Sequence, residues 1–238
     1  MTVPPTGSPH ARQLGTVLVT GGSSGLGAAV VQAVTEAGGR PLVLDRVPPP
    51  LGVEHELVDL ADSRAAEQAT RTLAERAGGL DGVLTAAGID RPGSLGEVSG
   101  PDWDRIVQVN LFGTVAVVRA ALPYLERSGG RVVTVASTLG IKAVGDATAY
   151  CASKFGVVGF TRSLAAETAG RIGVTLLIPG GMETAFFDDR DEQYKPGPDA
   201  KLNHPDHVAA AVVFAMQQPA GSELREMVVA SSWETSWP

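Results

Sequence analysis

Tyr150 and Lys154 lie four positions apart in the run Tyr150-Cys151-Ala152-Ser153-Lys154, within a stretch that reads as a long helix. Residues four apart occupy one face of a helix, so the phenol and the ammonium can share a site. A free phenol has a pKa of about 10, and a nearby positive charge lowers that pKa by stabilising the phenolate. A fall of roughly 2–3 pKa units, or about 3–4 kcal/mol, would bring the phenol near the range that general acid/base catalysis needs. The pair therefore predicts a proton-transfer site.

The same spacing occurs by chance in many helices, so a partly exposed aromatic beside a solvated amine is the competing interpretation of the pair alone. Ser137 lies thirteen residues before Tyr150, at the end of a predicted strand over residues 131–137. Ligands of open parallel sheets bind at the carboxyl ends of the strands, so the Ser137 hydroxyl is expected in the same site. The elements that position these groups decide between the two interpretations.

A glycine-rich turn follows the first predicted strand. Residues 16–20 are short, apolar and β-branched, and after them come Gly21-Gly22-Ser23-Ser24-Gly25-Leu26-Gly27 and an Ala- and Val-rich segment to about Ala37. Glycines let the backbone turn tightly and approach a pyrophosphate, whose charge then lies at the positive end of the helix. Glycine clusters are also common in ordinary loops, but the order strand, turn, helix favours phosphate binding.

The second predicted strand, residues 41–45, ends in Asp45, about 20 residues after the glycine turn. A carboxylate there can accept both ribose hydroxyls of an adenosine and repels a 2′-phosphate, which favours NAD over NADP. The competing interpretation is a solvated acid at the end of a strand. Arg46 follows at once and could accommodate a 2′-phosphate, so NADP stays open.

The remaining elements alternate between strand and helix. Pro48-Pro49-Pro50 cannot form a helix interior, so the crossover from the second strand to the third is expected to lack its helix. Asp59, with Leu60, is predicted to close the third strand, where it could bind an adenine amino group or cap the next helix. Asn110 lies in the middle of a long apolar helix and is either satisfied locally or functional, because an unpaired buried amide is costly. Further strands are predicted at about 54–59, 80–88, 173–178 and 226–230, and helices at 62–78, 101–127, 149–170 and 206–217.

Composition excludes several classes of function. The 238-residue chain is 44% hydrophobic, enough for a sizeable core, and its net charge of −7 without a basic run argues against nucleic-acid binding.

The one cysteine, Cys151, fits a reducing compartment and a packing role. The four histidines include one close pair, His204 and His207, without a third ligand type nearby, so no metal site is predicted. Residues 1–15 do not form a signal peptide and no apolar run appears long enough for a membrane span, so a cytoplasmic protein is expected.

Several of these residues form one ordered set: Thr20-Gly21-x-x-x-Gly25-x-Gly27, Asp45, Asp59, Ala87-Gly88, Asn110, Ser137, Tyr150-x-x-x-Lys154, and Pro179-Gly180 through Thr184. With these motifs the chain resembles the short-chain dehydrogenase/reductase family over roughly residues 14–230. The resemblance implies an α/β fold with a single Rossmann-like, doubly wound, parallel seven-stranded sheet and helices on both faces. We expect this catalytic domain at residues 14–238, after a flexible N-terminal tail at 1–13.

The resemblance also implies roles. Tyr150 would be the general acid/base, Ser137 would orient the substrate oxygen, and Lys154 would bind the nicotinamide ribose and lower the phenol's pKa. Asn110 would hold the water of a proton relay from Lys154 to solvent. The implied cofactor-binding residues are Gly21, Ser23, Ser24, Gly25, Leu26, Gly27, Asp45, Asp59, Leu60, Ala87, Gly88, Tyr150, Lys154, Pro179, Gly180 and Thr184, with Thr184 and the turn before it on the carboxamide.

Three segments depart from the family's pattern. The usual Asn-Asn-Ala-Gly after the fourth strand reads Thr85-Ala86-Ala87-Gly88, which removes a side-chain hydrogen bond. The proline crossover at 48–50 replaces a helix. The C-terminal residues 231–238, with two tryptophans, replace an Asp-Gly-Gly ending, and they are expected to pack on a neighbouring subunit or on the substrate entrance.

The sequence thus predicts an oxidoreductase that transfers a hydride between NAD(H) and a secondary alcohol or ketone. The substrate is expected to be small and apolar, and the enzyme a homo-oligomer, dimer or tetramer, formed through its two long helices. One alternative is an NADPH-dependent carbonyl reductase acting on a 3-oxoacyl or polyketide-like substrate. The other is a catalytically silent NAD-binding protein.

Overall fold

The seven strands form one parallel sheet in the order β3-β2-β1-β4-β5-β6-β7. We describe it from a computed structural model, in which residues 11–50 and 52–236 are described. The strands are β1 Thr16–Thr20, β2 Arg40–Asp45, β3 His55–Leu57, β4 Gly82–Thr85, β5 Arg131–Val135, β6 Gly173–Pro179 and β7 Glu226–Val229. The α-helices are α1 Gly25–Glu36, α2 Ser63–Ala77, α3 Gly100–Val107, α4 Thr114–Ser128, α5 Thr148–Glu167 and α6 Pro205–Met216. The predicted doubly wound α/β fold is confirmed.

The central strands read as continuous apolar runs because both faces of the sheet are covered. Every residue of β4, β5 and β6 is buried, as expected for strands packed between two helical layers. On one face α2, α4 and α5 contribute Leu73, Leu125 and Leu164 to the core. On the other, α1 and α6 contribute Val30 and Met216.

The direction of winding reverses between β1 and β4. The chain runs outward from β1 through β2 to β3, returns to pair β4 on the other side of β1, and then runs outward to β7. In open parallel sheets a crevice forms at this switch point, outside the carboxyl ends of the strands. Thr20 and Thr85, which end β1 and β4, are paired there.

The crossover from β2 to β3 contains no helix among its described residues, 46–50 and 52–54, as the prolines predicted. The third strand is shorter than expected, because it ends at Leu57 and not at Asp59 or Leu60. Asp59 instead accepts the backbone N–H of Ala61 at 3.0 Å. This turn-forming bond competes with strand pairing and ends β3 early.

The long helix predicted over residues 101–127 is interrupted by a π-helical turn, Gln108–Gly113, between α3 and α4. A Cβ on Gly113 would lie 2.9 Å from the Leu60 carbonyl oxygen, so this turn passes close to neighbouring backbone. Such single π turns are frequent at functional sites. The turn contains Asn110.

The helical segment Gly100–Ser128 is long and apolar enough, by length and composition, to cross a membrane. The expectation that no such stretch exists was therefore wrong. Its most apolar 18-residue window has a mean hydropathy of 1.5, yet 56% of that window is buried inside the protein. Val117, Ala121 and Leu125 are fully buried in the core. This segment is a core helix.

The two ends of the chain are described only in part. Residues 1–10 of the predicted N-terminal tail and Trp237–Pro238 lie outside the described residues. Arg12 is anchored, because its backbone N–H donates to the Gln217 carbonyl at 3.0 Å and its guanidinium donates to the Ser128 carbonyl at 3.0 Å.

Candidate active site

Tyr150, Lys154 and Ser137 meet at the carboxyl end of β5. Tyr150 and Lys154 are buried on α5, one helical turn apart, and the Lys154 Nζ lies 5.6 Å from the centroid of the Tyr150 ring. Lys154 donates a 2.9 Å hydrogen bond to the Val135 carbonyl, the last residue of β5. Ser137 follows two residues later, and its Oγ accepts the Leu139 N–H at 3.1 Å. The three side chains therefore share one site, as their spacing predicted.

The predicted lowering of the Tyr150 pKa is wrong for the chain without ligands. Burial raises the pKa of Tyr150 to about 12 and outweighs the opposing hydrogen bond from Ser137. Burial likewise lowers the pKa of Lys154 to about 8, against the attraction of Asp90. Desolvation disfavours the charged form of each group, and the Lys154 ammonium is directed to a strand carbonyl rather than to the phenol. Both groups are therefore biased towards their neutral forms.

Asn110 holds the loop after β4 in place. Its Oδ1 accepts the Ile89 N–H at 2.8 Å, while its Nδ2 donates to the Ile89 carbonyl at 2.9 Å and to the Ser153 hydroxyl at 3.1 Å. A Cβ on Gly88 would lie 3.5 Å from this Oδ1 and 3.6 Å from the Lys154 Nζ. Of the two interpretations of Asn110, local satisfaction is shown. The side chain also fixes the loop that faces Lys154.

The glycine turn is closely packed on itself. A Cβ on Gly27 would lie 2.0 Å from the Gly21 carbonyl oxygen, so only glycine fits at residue 27. Gly21 has a φ of +70°, which favours glycine, and its Cα hydrogens face Ala87. The turn opens α1 at Gly25, where the first N–H groups have no partner within the helix.

Asp45 connects the end of β2 to the glycine turn. Its carboxylate accepts the Ser23 N–H at 3.0 Å and the Arg46 N–H at 2.6 Å. Ser23 in turn donates through its hydroxyl to the Val47 carbonyl at 2.7 Å. The carboxylate predicted to bind ribose is thus fixed beside the turn predicted to bind phosphate.

Asp59 has a second partner besides the turn that it forms. Arg105 on α3 donates to its Oδ2 at 2.7 Å. Burial alone would raise the pKa of Asp59, but the Ala61 N–H and Arg105 together hold that pKa below its ordinary value. Asp59 does not cap α2, since that role falls to Asp62, which accepts the N–H groups of Arg64 and Ala65.

The Thr85-Ala86 replacement leaves one polar atom without a partner. The Thr85 Oγ1 is buried and has no hydrogen-bond partner among the described residues. The neighbouring Ala87 N–H is nevertheless satisfied, because it donates to the Thr20 hydroxyl at 3.1 Å. The end of β1 therefore supports this turn.

A cavity of about 910 Å³ extends along the carboxyl edge of the sheet. It joins most of the predicted site residues, and only Ser23 and Asn110 lie behind its surface. The predicted residues that line it are Gly21, Ser24, Gly25, Leu26, Gly27, Asp45, Asp59, Leu60, Ala87, Gly88, Ser137, Tyr150, Lys154, Pro179, Gly180 and Thr184.

The residues along this cavity fit a nicotinamide dinucleotide. The crowded glycine turn at the start of α1 suits a pyrophosphate, and Asp45 suits the adenosine ribose. Thr184 lies against the same turn, because a Cβ on Gly25 would be 3.5 Å from its methyl carbon. Lys154 and Tyr150 lie further along the cavity, where the nicotinamide end would be held.

Among the cavity residues that were not predicted individually as site residues, four form polar contacts within the site. Asp90 and Arg190 form an ion pair of 2.8 Å in the wall of the cavity, although they are 100 positions apart. Glu234 and Ser236 reach the cavity from the C-terminal segment. No local spacing links these residues to Tyr150 and Lys154. For Glu234 and Ser236, the one indication in the sequence was the expectation that the C-terminal segment packs against a subunit or the substrate entrance.

The C-terminal segment packs against the cavity of its own chain. Glu234 accepts the Gly181 N–H at 2.8 Å, and the Ser236 hydroxyl lies 2.7 Å from Glu234 and 2.6 Å from the Thr138 hydroxyl. A Cβ on Gly180 would lie 2.3 Å from the Glu234 carboxylate, so this contact requires glycine. Trp233, by contrast, is 73% exposed.

A switch-point crevice with a glycine turn on one side and a buried tyrosine and lysine on the other defines the class of nicotinamide-dependent oxidoreductases. The family model described as short chain dehydrogenase matches residues 15–195. The chain belongs to the short-chain dehydrogenase/reductase family.

Individual relatives agree with this assignment. A D-threitol dehydrogenase of Mycolicibacterium smegmatis is 33% identical over 223 residues, covering 85% of this chain and 86% of the relative. A closed form of serine dehydrogenase complexed with NADP+ has a TM-score of 0.85 at 22% identity, covering 92% and 96% of the two chains. An alcohol dehydrogenase from the archaeon Thermococcus sibiricus, complexed with 5-hydroxy-NADP, has a TM-score of 0.81 at 23% identity, covering 92% and 97%. The protein is an NAD(P)-dependent oxidoreductase that acts on CH–OH groups.

Proposed function

We propose that the protein interconverts a secondary alcohol and its ketone with NAD(H), and that Tyr150 is the general acid/base. The observation that carries this proposal is the convergence of the buried Tyr150, Lys154 and Ser137 beside the glycine turn in one cavity. The nicotinamide supplies the hydride chemistry, while the protein orients the reactants and manages the proton.

The side chains divide the work at the substrate oxygen. The Tyr150 phenol exchanges the hydroxyl proton, and the Ser137 hydroxyl donates a hydrogen bond that orients the same oxygen. Lys154 binds the nicotinamide ribose through the N–H bonds that its Val135 contact leaves free. Asn110 has both side-chain polar atoms engaged. A relay water on Asn110 would therefore bind its backbone carbonyl, which already accepts the Thr114 hydroxyl at 2.9 Å.

The proposed cofactor is NAD. Asp45 ends β2 with its carboxylate fixed by the Ser23 and Arg46 N–H groups, where a 2′-phosphate would meet a negative charge. The second candidate, an NADPH-dependent carbonyl reductase, is favoured by Arg46, which is exposed and lines the cavity beside Asp45. Comparing the dissociation constants of NADH and NADPH separates the two candidates.

We further propose a cytoplasmic homo-oligomer, dimer or tetramer, assembled through α5 and the helical segment that contains the π turn. Phe112 and Phe155 on these elements are 52% and 44% exposed, which supports an apolar interface there. Size-exclusion chromatography with light scattering tests the assembly, and a monomer at micromolar concentration contradicts it.

The Tyr150→Phe variant tests the proposed chemistry. Removing the phenol oxygen should lower kcat by about 10³-fold, within the range seen when a general acid/base is lost. Binding of NADH, followed by its fluorescence, should change less than about threefold. Tyr124→Phe is the matched control, because Tyr124 lies on α4 and its hydroxyl contacts Glu75 at 3.3 Å, away from the cavity. Turnover that survives Tyr150→Phe overturns the proposal, and turnover of no alcohol by the wild type favours the silent NAD-binding alternative.

A further inference from the structure

Asp90 and Arg190 form a buried ion pair within the proposed active site. Arg190 Nη2 lies 2.8 Å from Asp90 Oδ2, and the two side chains are only 14% and 5% exposed. Asp90 comes from the loop after β4, two residues past Gly88, and Arg190 comes from the long segment after β6. Both line the cavity that contains Tyr150.

The pair is close to the reacting group. The Arg190 guanidinium lies over the rings of Phe186 and Phe187, at 4.9 Å and 4.6 Å from their centroids. Phe186 in turn packs against Tyr150, with ring centroids 5.9 Å apart. The charges of Asp90 and Arg190 both act on the Tyr150 pKa, in opposite directions. Asp90, Arg190 and Tyr150 line the same cavity, so a substrate whose oxygen binds at Tyr150 can extend towards the pair.

The pair is incompletely satisfied. The Arg190 Nε is buried and has no hydrogen-bond partner among the described residues. One Asp90 oxygen accepts Arg190 and the other accepts the Arg91 N–H at 2.8 Å. Burial raises the pKa of Asp90 in spite of the neighbouring Arg190. A buried ion pair is costly unless its hydrogen-bonding positions are filled. The enclosed Nε is closed to a ligand, so a ligand in the cavity would bind the pair through the terminal guanidinium nitrogens of Arg190 and the carboxylate oxygens of Asp90.

We propose that the Asp90–Arg190 pair recognises a second hydroxyl of the substrate, so that the enzyme prefers neutral diols and polyols to alcohols with one hydroxyl. This inference rests on the proposed function and adds the substrate class. A hydroxyl group both donates and accepts, so it can donate to the Asp90 carboxylate and accept from the Arg190 guanidinium. A carboxylate in the same place would be attracted by Arg190 but repelled by Asp90, which disfavours hydroxy acids.

This inference replaces the sequence-based expectation of an apolar substrate. Apolar cavity residues such as Met182, Phe186 and Phe187 are present, but charged groups lie among them. The relative that acts, by its name, on D-threitol is a polyol dehydrogenase. Its identity of 33% makes it a supporting observation, while the argument itself comes from the ion pair.

Three four-carbon substrates test the inference directly: 2-butanol, butane-2,3-diol as a mixture of stereoisomers, and 3-hydroxybutanoate. Each offers the same CH–OH carbon next to a methyl group, and they differ in the neighbouring group. With NAD as cosubstrate, we expect the wild-type kcat/KM for the diol to exceed that for 2-butanol by about 100-fold or more, because a site built to hydrogen-bond a hydroxyl discriminates strongly against its absence. We expect 3-hydroxybutanoate to fall below the diol.

Asp90→Asn and Arg190→Lys should each lower the ratio of kcat/KM for the diol over that for 2-butanol by roughly 10–100-fold, since only the diol uses the pair, while any effect of these charges on Tyr150 is common to both substrates and cancels in the ratio. Asp188→Asn, an exposed neutralisation in the same segment as Arg190, is the control and should leave the ratio unchanged. Thermal melting checks that the variants are folded. Calorimetric binding of the diol to the NAD-loaded Tyr150→Phe variant, with and without Asp90→Asn, gives a readout that does not need turnover.

Three results would overturn the inference and leave the proposed function intact. The first two are an active wild type with a diol to 2-butanol ratio near one, and a high ratio that both variants preserve. A clear preference for 3-hydroxybutanoate would also overturn it, because the pair would then read an anion. Turnover that persists in Tyr150→Phe would instead overturn the proposed function, whatever the ratio.

Discussion

The Lys154 ammonium donates to the Val135 carbonyl at 2.9 Å and lies 5.6 Å from the centroid of the Tyr150 ring. Lysine and tyrosine thus share a site, yet the strongest bond of the lysine is to strand β5. Burial disfavours charge on both, raising the pKa of Tyr150 to about 12 and lowering that of Lys154 to about 8. Burial, and not the lysine charge, therefore sets the direction in which the Tyr150 pKa is shifted.

The raised pKa of Tyr150 predicts opposite pH dependences for the two directions of reaction. Ketone reduction needs the protonated phenol, which persists below the raised pKa of Tyr150, so its kcat/KM should stay level from pH 6 until Lys154, with its pKa lowered to about 8, loses its charge. Alcohol oxidation needs the phenolate, so its kcat/KM should rise with pH, by up to about tenfold per unit. The oxidised nicotinamide ring is cationic and favours the phenolate. The pH at which Tyr150 is half ionised is therefore expected to be lower in the complex with the oxidised cofactor than in the free protein.

Steady-state kinetics in both directions from pH 6 to pH 10, in buffers of constant ionic strength, measure this difference. The Tyr124→Phe variant should reproduce the wild-type profiles. An oxidation kcat/KM that falls as the pH rises from 6 to 8, where Lys154 keeps its charge, would contradict a raised phenol pKa at the reacting group.

The sequence was sufficient for the fold and for the centre of the site, because both depend on local patterns. Short β-branched runs predicted the strands, and the glycine turn between β1 and α1 was recognisable from its neighbours. Tyr150 and Lys154 are joined by helical spacing, and Ser137 by its position at a strand end. Each of these relations spans few residues or follows from the general geometry of parallel sheets.

The features that escaped prediction depend on tertiary contacts. Asp90 and Arg190 meet only because the loops after β4 and β6 face each other across the crevice. The π turn that contains Asn110 packs closely on Leu60 at Gly113, a contact between distant parts of the chain. The direction of the Tyr150 pKa shift was mispredicted because helical spacing reports the proximity of a charge and not the extent of burial, which here dominates.

Asp45→Asn should relax the choice between cofactors. The amide keeps an oxygen for the Ser23 N–H but removes the negative charge that would repel a 2′-phosphate. We expect the ratio of kcat/KM for NAD over NADP to fall by roughly 10–100-fold, equivalent to about 1.4–2.8 kcal/mol. Arg46→Gln is the companion variant. If the wild type prefers NADP and Arg46→Gln abolishes that preference, the NADPH-dependent alternative is correct and the assignment of NAD is wrong.

Gly27→Ala and Gly159→Ala should have opposite effects on stability. A Cβ at residue 27 would lie 2.0 Å from the Gly21 carbonyl oxygen, so the glycine turn must move. We expect Gly27→Ala to lower the free energy of unfolding by about 1–3 kcal/mol, as overpacking does, and to bind NADH at least tenfold more weakly.

Gly159 lies exposed within α5, and a Cβ there would meet nothing within 4 Å. Alanine at residue 159 should stabilise each subunit by about 0.5–1 kcal/mol. Light scattering of this variant checks that the assembly proposed through Phe155, one helical turn away on α5, is unchanged. Urea unfolding and NADH titration of both variants measure these changes, and normal NADH binding by Gly27→Ala would show that the turn does not hold the cofactor.

Glu234→Ala should weaken the nicotinamide end of the site, although Glu234 is distant in sequence from every catalytic residue. Burial alone would raise the pKa of Glu234, but hydrogen bonds from Ser236 and from the Gly181 N–H hold that pKa below its ordinary value, so the carboxylate stays charged at neutral pH. It thereby ties the C-terminal segment to the turn that leads to Thr184. Loss of one such bond to a charged group, about 1.5–3 kcal/mol, should raise KM for cofactor and alcohol by roughly 10–100-fold while kcat falls less. Glu183→Ala removes an exposed carboxylate from the same turn and should leave both KM values unchanged. If the role of Glu234 is purely structural, Glu234→Ala will lower the melting temperature and leave both KM values unchanged. In that case Glu234→Gln, which keeps an acceptor for the Gly181 N–H, should give the same KM values as Glu234→Ala.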